Sequence, residues 1–227
     1  MALAAYKDLC MDASDAHALG RFWSPLLGWD HHPHDDGDSC LRAGEAVEVW
    51  INTVPEPVTV KNRLHIDVNV TALEPLIAAG ATVVDADSFS WITMRDPDGQ
   101  DFCAFVRDEQ REPQFYEMGW DVTGDASAAR ELAAWWADAL GATATDHEDG
   151  SSSVTGITGA PFEAIVFAPV SEPKTVKNRI HIDVTTDDLD ALVAAGATVQ
   201  RPKGDDGIDW NLMTDPAGNE FCAFTPV

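Results

Sequence analysis

Two pairs of histidine and aspartate with the same spacing are the residues of this chain best suited to chemistry. His65 and Asp67 form one pair, and His181 and Asp183 form the other. Alternate residues of a β-strand point to the same face, so each histidine would lie beside its aspartate. Imidazole and carboxylate groups bind metals such as Fe, Ni, Zn or Co, and they also hydrogen-bond to each other inside a core. The spacing therefore predicts either a metal site or a buried polar pair.

Two of the four cysteines occupy matching places near the end of each half of the chain. Cys103 lies in the segment DPDGQDFCAF and Cys222 in DPAGNEFCAF. A thiolate would add a soft ligand to a nearby metal, whereas a thiol in an apolar strand is usually buried and inert. Since no two cysteines have the C-x-x-C spacing, we expect reduced thiols rather than a disulfide framework or a zinc ribbon.

Three tryptophans, Trp50, Trp91 and Trp210, are predicted on strands, where an inward ring can stack on a flat ligand. Ordinary packing is the equally valid alternative. Combined with the histidines and cysteines, these rings give the predicted ligand-binding set. Its members are Trp50, Asn52, His65, Trp91, Cys103, His181, Trp210 and Cys222.

The densest basic spots are the tripeptides 61–63 and 177–179, both Lys-Asn-Arg. They could hold an anionic substrate. The alternative, which we favour, is structural: each arginine pairs with a nearby acidic residue such as Glu56 or Glu172, and each asparagine caps the linker turn.

The elements that must position these residues form a repeat. The segment TVKNRLHIDV at 59–68 returns as TVKNRIHIDV at 175–184, about half the chain later. Helical spacing predicts helices that end at Gly28 and Gly141, each within a β-α-β-β-β unit. Four such units follow one another, two per half. A charged linker at 107–113 separates the predicted domains, which are residues 1–109 and 114–227.

Composition restricts the partners. The formal net charge is −25, from 39 acidic against 14 basic residues, so phosphate backbones and anionic lipid would be repelled. No apolar run reaches the roughly 20 residues of a membrane span, and the first ten residues do not resemble a signal peptide. We therefore expect a cytoplasmic monomer or homodimer with a small-molecule ligand, without nucleic acid or membrane partners.

Three motifs occur in the same order in both halves. They are Phe22-Trp23 with Leu27-Gly28-Trp29, then Lys-Asn-Arg-x-His-x-Asp, then Asp-Pro-x-Gly-x-x-Phe-Cys. The second half keeps most of them, with Ala142 in place of the tryptophan after Gly141. In this the chain resembles the vicinal oxygen chelate superfamily, specifically its glyoxalase-like domains. The resemblance implies an α+β fold of two tandem glyoxalase-like domains, in which paired βαβββ units form a cup from mixed sheets.

The resemblance also implies where a metal would bind. Metal-dependent members supply ligands from the first strand of each unit and a glutamate from the last strand. The last-strand positions here hold Cys103 and Cys222 instead of glutamate. The first-strand positions are assigned to Asp8, His65, Asp121 and His181.

Two function classes remain open. In the first, the cups bind an aromatic or amphipathic molecule without any cofactor, as drug-sequestering members of the superfamily do. In the second, a divalent metal held by Asp8, Glu48 and His65 supports a lyase, isomerase or dioxygenase reaction. The missing glutamates favour the binding protein, and the first half, which has more polar groups, is expected to hold the ligand.

Overall fold

The computed structural model describes residues 2–226 and contains two mixed β-sheets of eight strands each, with few helices. The fold class is therefore α+β, as predicted. The first half contains β1 (Ala5–Ala13), α1 (Ala16–Leu27), β2 (Asp30–Pro33), β3 (Ser39–Ala43), β4 (Ala46–Thr53), β5 (Leu64–Val70), α2 (Glu74–Ala78), β6 (Thr82–Asp85), β7 (Ile92–Arg95) and β8 (Asp101–Val106). The second half contains β9 (Phe115–Thr123), α3 (Ala126–Leu140), β10 (Thr143–Asp146), β11 (Ser152–Thr155), β12 (Ala164–Val170), β13 (Ile180–Thr185), α4 (Leu189–Ala194), β14 (Thr198–Arg201), β15 (Asn211–Thr214) and β16 (Glu220–Phe224). None of the described helices is long and apolar enough to cross a membrane.

The two long helices end at the glycines that the sequence predicts, and each begins at a capping aspartate. The Asp15 side chain accepts a hydrogen bond from the Ala18 amide at the start of α1, and Asp125 caps α3 in the same way through Ser127. Both helices end at a glycine in the left-handed region, with φ of 70° at Gly28 and 65° at Gly141. A side chain would be strained there, so glycine is the residue that lets the chain turn back towards the sheet.

The sheets combine units from opposite halves. The first sheet has the order β14-β15-β16-β13-β1-β4-β3-β2, and the second has the order β10-β11-β12-β9-β5-β8-β7-β6. The first unit therefore pairs with the fourth and the second with the third. The expectation that each half pairs its own two units is wrong, and neither half contains a complete sheet. The domain boundaries at 109 and 114 describe the sequence repeat and stay a prediction.

The core holds the two sheets together through their helices. Trp23 of α1 packs against Phe102 of β8, with ring centroids 5.2 Å apart. Trp136 of α3 packs against Phe221 of β16 at 5.3 Å. All four rings are buried. Each helix thus covers strands of its own unit and also contacts the other sheet, so the polar residues of each sheet are left on the opposite face.

Candidate functional site

Five buried side chains meet on the polar face of the first sheet, and we call them the first-sheet cluster. Strand β13 lies between β1 and β16, which brings together residues from three distant parts of the sequence. The members of the cluster are Asp8, Cys10, His181, Asp183 and Cys222.

The distances within this cluster are short. Nε2 of His181 lies 3.3 Å from Sγ of Cys222 and 3.2 Å from Oδ1 of Asp183. Cys10 is paired with His181 across the sheet and accepts a hydrogen bond of 3.0 Å from Nδ2 of Asn52. Within residues 2–226, Nδ1 of His181 and Oδ1 of Asp8 are buried and have no hydrogen-bond partner. The cluster therefore has polar atoms left over for a further ligand.

Burial and neighbouring charges shift the proton affinities of this cluster. Burial alone would lower the pKa of His181, but Cys10, Asp183 and Cys222 outweigh it and raise that pKa well above its usual 6.5. Burial raises the pKa of Asp8 to about 6, against the opposing effect of Lys7, whose Nζ lies 2.5 Å from Oδ2. Asp8 can therefore exchange a proton near neutral pH.

The second-sheet cluster consists of His65, Asp67, Cys103 and Glu117. Nδ1 of His65 lies 2.6 Å from Oδ1 of Asp67, and Sγ of Cys103 lies 3.8 Å from the same nitrogen. Glu117 of β9 pairs with Asp67 across the sheet. Burial, and next the negative charge of Asp67, raise the pKa of Glu117 to about 7. The pKa of His65 is raised well above 6.5 because the contacts with Asp67 and Cys103 outweigh its burial.

The residue paired with each histidine explains the difference between the clusters. His65 pairs with Gly119, whereas His181 pairs with Cys10. A Cβ atom at Gly119 would lie 2.0 Å from Cε1 of His65, so the His65 ring occupies space that a side chain would fill. In the first sheet a cysteine takes that space. His65 consequently turns Nδ1 to its aspartate, while His181 turns Nε2.

Aromatic rings lie beside the second-sheet cluster, and we call them the aromatic wall. Phe89 stacks on Trp91 with centroids 4.7 Å apart and planes 5° apart. Phe105, two residues after Cys103, lies 5.7 Å from Trp91 and 5.1 Å from Tyr116. The Arg107 guanidinium lies over the rings of Phe105 and Tyr116, 5.1 Å from each centroid. Phe89 is 54% exposed.

The first sheet carries a smaller version of this wall. Trp210 lies 5.8 Å from Phe224, and Lys7 lies over the Phe224 ring at 4.3 Å. Trp50 is paired with Cys10 and lies 5.4 Å from His34. Trp91 and Trp210 precede β7 and β15 instead of lying within strands as predicted.

The predicted metal set does not form one site. Asp8 and Glu48 belong to β1 and β4 of the first sheet, whereas His65 belongs to β5 of the second. The ligand-binding set is divided in the same way. His65, Trp91 and Cys103 belong to the second sheet, and Trp50, Asn52, His181, Trp210 and Cys222 belong to the first.

Asp121 does not occupy the first-strand ligand position that the sequence analysis expects for it. Its carboxylate binds Lys61 at 2.6 Å, as Asp12 binds Lys177 at 2.6 Å. Glu117 is the residue equivalent to Asp8, since Glu117 pairs with Asp67 as Asp8 pairs with Asp183. Sequence reasoning missed Cys10 and Glu117 as site residues. Aligning KDLCMD at 7–12 with YEMGWD at 116–121 would have found both.

The Lys-Asn-Arg tripeptides join the two halves. Arg63 donates to the backbone carbonyl of Glu172, and Arg179 donates to that of Glu56 at 2.8 Å. The arginines thus bind the backbone carbonyl oxygens of Glu56 and Glu172 and not the carboxylates of these two residues. Asn62 donates to the Gln100 side chain at 2.7 Å instead of capping the linker.

The first-sheet cluster has the spacing of a metal site. Ligand atoms around a tetrahedral zinc ion lie roughly 3.3 to 3.8 Å apart, given bond lengths of about 2.0 to 2.3 Å. The spacing of 3.3 Å between His181 and Cys222 lies at the short end of this range, and the 3.2 Å between His181 and Asp183 lies just below it. In the second-sheet cluster the 2.6 Å between His65 and Asp67 is a hydrogen-bond distance. His181, Asp183 and Cys222 are therefore the better candidate ligands.

A family of glyoxalase-like domains matches residues 8–105 and 121–224. The chain belongs to this family. Its resemblance to the vicinal oxygen chelate superfamily, with two tandem domains, is thereby confirmed. No curated protein sequence matches this glyoxalase-like protein.

Solved structures share the fold at low sequence identity. Glyoxalase I from Zea mays is 14% identical, with a TM-score of 0.63 over 97% of this chain and 92% of that chain. A putative dioxygenase from Bacillus subtilis is 12% identical, with a TM-score of 0.58 over 99% and 86% of the two chains. The cppA protein of Streptococcus pneumoniae is 12% identical, with a TM-score of 0.51 over 98% and 99%. At these identities the likeness concerns the fold alone.

Proposed function

We propose that this glyoxalase-like protein binds a planar aromatic small molecule against the aromatic wall of the second sheet. The observation that carries the proposal is the parallel pair of Phe89 and Trp91, because Phe89 remains 54% exposed and Trp91 lies 5.7 Å from Phe105, two residues after Cys103 of the polar cluster. Small-molecule sites commonly combine aromatic surfaces with a few polar groups that fix orientation. An exposed stacked ring offers a further ring the same contact.

The polar groups nearby determine which substituents suit this site. Because the pKa of Glu117 is raised to about 7, its carboxyl group can donate or accept a hydrogen bond near neutral pH. The raised pKa of His65 favours the charged imidazolium, whose Nδ1 is already bonded to Asp67. A planar phenol, with one hydroxyl group, matches this combination.

Binding of 2-naphthol to the wild type and to Phe89→Ala, measured by isothermal titration calorimetry, tests the proposal. Loss of the stacked ring should weaken binding about three- to tenfold, the usual value of one aromatic contact. Val84→Ala is the matched control, since Val84 is 48% exposed and lies on β6 outside the wall. Equal affinities in all three proteins would refute the proposal.

A metal-dependent activity at the first-sheet cluster is the second candidate. It is favoured by the convergence of His181, Asp183 and Cys222, whose ligand atoms all lie within 4.8 Å of one another. A divalent ion there would polarise adjacent oxygen atoms of a substrate. Asp8, whose pKa is raised to about 6, would accept and return a proton near neutral pH.

The metal content of purified wild type and of Cys222→Ser distinguishes the second candidate. We expect a divalent metal in the wild type and its loss in the variant. The partner substitution Cys103→Ser, in the other cluster, should leave the metal content unchanged. Equal metal content in all three proteins would exclude the first-sheet cluster as the site.

A further inference from the structure

A cleft of about 970 Å³ lies where the two halves of the chain meet, away from both clusters. The linker from β4 to β5 forms one side, and the linker from β12 to β13 forms the other. The ends of β1 and β9 contribute Asp12 and Asp121. The two repeats contribute equivalent walls to this space, which therefore lies on the axis that relates them. We call it the axial cleft.

The residues of the axial cleft are the same in both repeats. The eighteen lining residues form nine pairs at equivalent positions, and both members of every pair are of one residue type. Within the linkers, only two positions differ between the repeats. They are Pro55 against Ser171 and Val58 against Lys174, and none of these four residues lines the cleft.

On the polar faces of the two sheets, by contrast, equivalent positions of the two repeats hold different residues. Cys10 of the first-sheet cluster corresponds to Gly119, and Asn52 corresponds to Ala168. The repeats have thus diverged on their polar faces while remaining identical around the cleft. The bonds made by the Lys-Asn-Arg tripeptides explain part of that identity, because they join the halves.

Val60 and Val176 are not explained by such bonds. Each valine lines the cleft and is 45% exposed, so neither belongs to the core. Packing does not require an exposed residue to be the same in both repeats. Two matching apolar side chains facing a shared cleft instead indicate contact with an apolar ligand.

The charged residues indicate the rest of the ligand. Four of the fourteen basic residues of this acidic chain line the cleft, together with four acidic residues, Asp12, Glu56, Asp121 and Glu172. The Lys61 and Lys177 side chains are 52% and 50% exposed, and each ammonium group binds one aspartate at 2.6 Å. An ammonium group has three donors, so each lysine can still donate to a ligand. The aspartates hold the two lysines in place.

We propose that the axial cleft binds an elongated organic dianion. Its apolar middle would contact Val60 and Val176, and its two carboxylates would each accept hydrogen bonds from Lys61 or Lys177. The site is distinct from the aromatic wall and from both clusters, so the proposal does not depend on the function proposed above.

Calorimetric titration with straight-chain dicarboxylates tests this proposal. Glutarate, pimelate and azelate differ in length, and heptanoate has the length of pimelate with one carboxylate removed. We expect an optimum of affinity within the series, and binding of heptanoate weaker by roughly tenfold or more, the value of one charge-assisted hydrogen bond. Lys61→Met and Lys177→Met should each weaken diacid binding to about the level of the monoacid. Lys203→Met, outside the cleft, should leave it unchanged.

A second pair of variants does not disturb any ion pair. Val60→Asp adds a carboxylate to the cleft and should abolish diacid binding, whereas Val193→Asp makes the same change at a residue on α4, 43% exposed and outside the cleft. Phe89→Ala should bind the diacid like the wild type, which keeps this test separate from that of the aromatic wall. Absence of binding, equal affinity for heptanoate and pimelate, or unchanged affinity in both Lys61→Met and Val60→Asp would overturn the proposal.

Discussion

The two polar clusters occupy equivalent positions in the two sheets, yet they differ in geometry. Both contain the His-x-Asp strand and the strand with Phe-Cys, but the adjacent strand supplies Cys10 in the first sheet and Gly119 in the second. This one position decides which ring nitrogen faces the aspartate. The distance from that nitrogen to Oδ1 of the aspartate is 3.2 Å in the first-sheet cluster and 2.6 Å in the second-sheet cluster. The comparison teaches that the chemistry of a repeated motif depends on the residue paired with it.

The largest difference that we expect between equivalent residues is in how strongly Asp96 and Asp215 make the stability of the fold depend on pH. Burial raises the pKa of Asp96 from 3.8 to about 7. Because the folded state binds the proton more tightly than the unfolded state, this stabilisation is complete below about pH 4 and is lost as pH rises through about 7. A shift of that size corresponds to at most roughly 4 kcal/mol. Burial also raises the pKa of Asp215, but Nδ2 of Asn219 donates hydrogen bonds to both oxygens of this carboxylate, at 3.2 and 3.0 Å, and Trp136 donates one of 3.1 Å, all of which favour the ionised form.

Urea unfolding at pH 5 and pH 8 measures this effect. Asp96→Asn should lose the part of the decrease in unfolding free energy between these pH values that Asp96 contributes, and Asp215→Asn should lose less. Asp8 and Glu117 titrate in the same range, and they contribute their own share of the decrease in the wild type and in both variants. A pH dependence of Asp96→Asn equal to that of the wild type would show that Asp96 is ionised throughout.

The next largest difference should be in how much Arg63 and Arg179 contribute to the free energy of unfolding. Arg179 is buried, and its Nη2 lies 3.5 Å from Oδ2 of Asp98, whose side chain is 7% exposed, whereas Arg63 is partly exposed. Arg179→Met should reduce the free energy of unfolding by about 3 kcal/mol, since it removes the charged partner of the Asp98 carboxylate and leaves only the hydrogen bonds from Ser14 and Gln100. Arg63→Met should cost about 1 kcal/mol. Chemical denaturation of both variants checks the ranking, which equal losses would disprove.

Exchanging the residues that pair with the histidines tests the comparison directly. Gly119→Cys should displace the His65 ring and cost roughly 1 to 3 kcal/mol, the usual penalty of overpacking. Cys10→Gly should free the equivalent space above the first sheet. Long-range nitrogen–proton NMR spectra of the imidazoles would show whether His65 then resembles His181. Unchanged His65 signals in Gly119→Cys would mean that the pairing residue does not orient the ring.

Much of the fold could be predicted from local patterns. Gly28 and Gly141 mark the ends of the two long helices, and the repeated segment at 59–68 and 175–184 marks the equivalent strands β5 and β13. The partners of the units could not be predicted, because the linkers after β4 and β12 are nearly identical and allow either pairing. That choice places Asp8 and His65 in different sheets.

The candidate site was predicted in part. His65, His181, Cys103 and Cys222 stand out by type and spacing, and the structure brings them together with their aspartates. Gly119 gave no signal, since glycine has no reactive group and its role is to leave space for a ring. Asp67 pairs with Glu117 and Val68 with Phe115, so Tyr116 is an extra residue in β9. This register shift interrupts the alternation of side chains that would have indicated Glu117.

The divergence of the two clusters is tested most directly by titrating metal-free protein with Co²⁺ and recording its absorption spectrum. A cobalt ion bound by a thiolate in tetrahedral geometry gives both a thiolate charge-transfer band and intense visible bands. We predict one such ion per chain in the wild type and in Cys103→Ser, and none in Cys222→Ser. Two equivalent ions, absence of the thiolate band, or its loss in Cys103→Ser in place of Cys222→Ser would contradict the assignment of different chemistry to the two sheets.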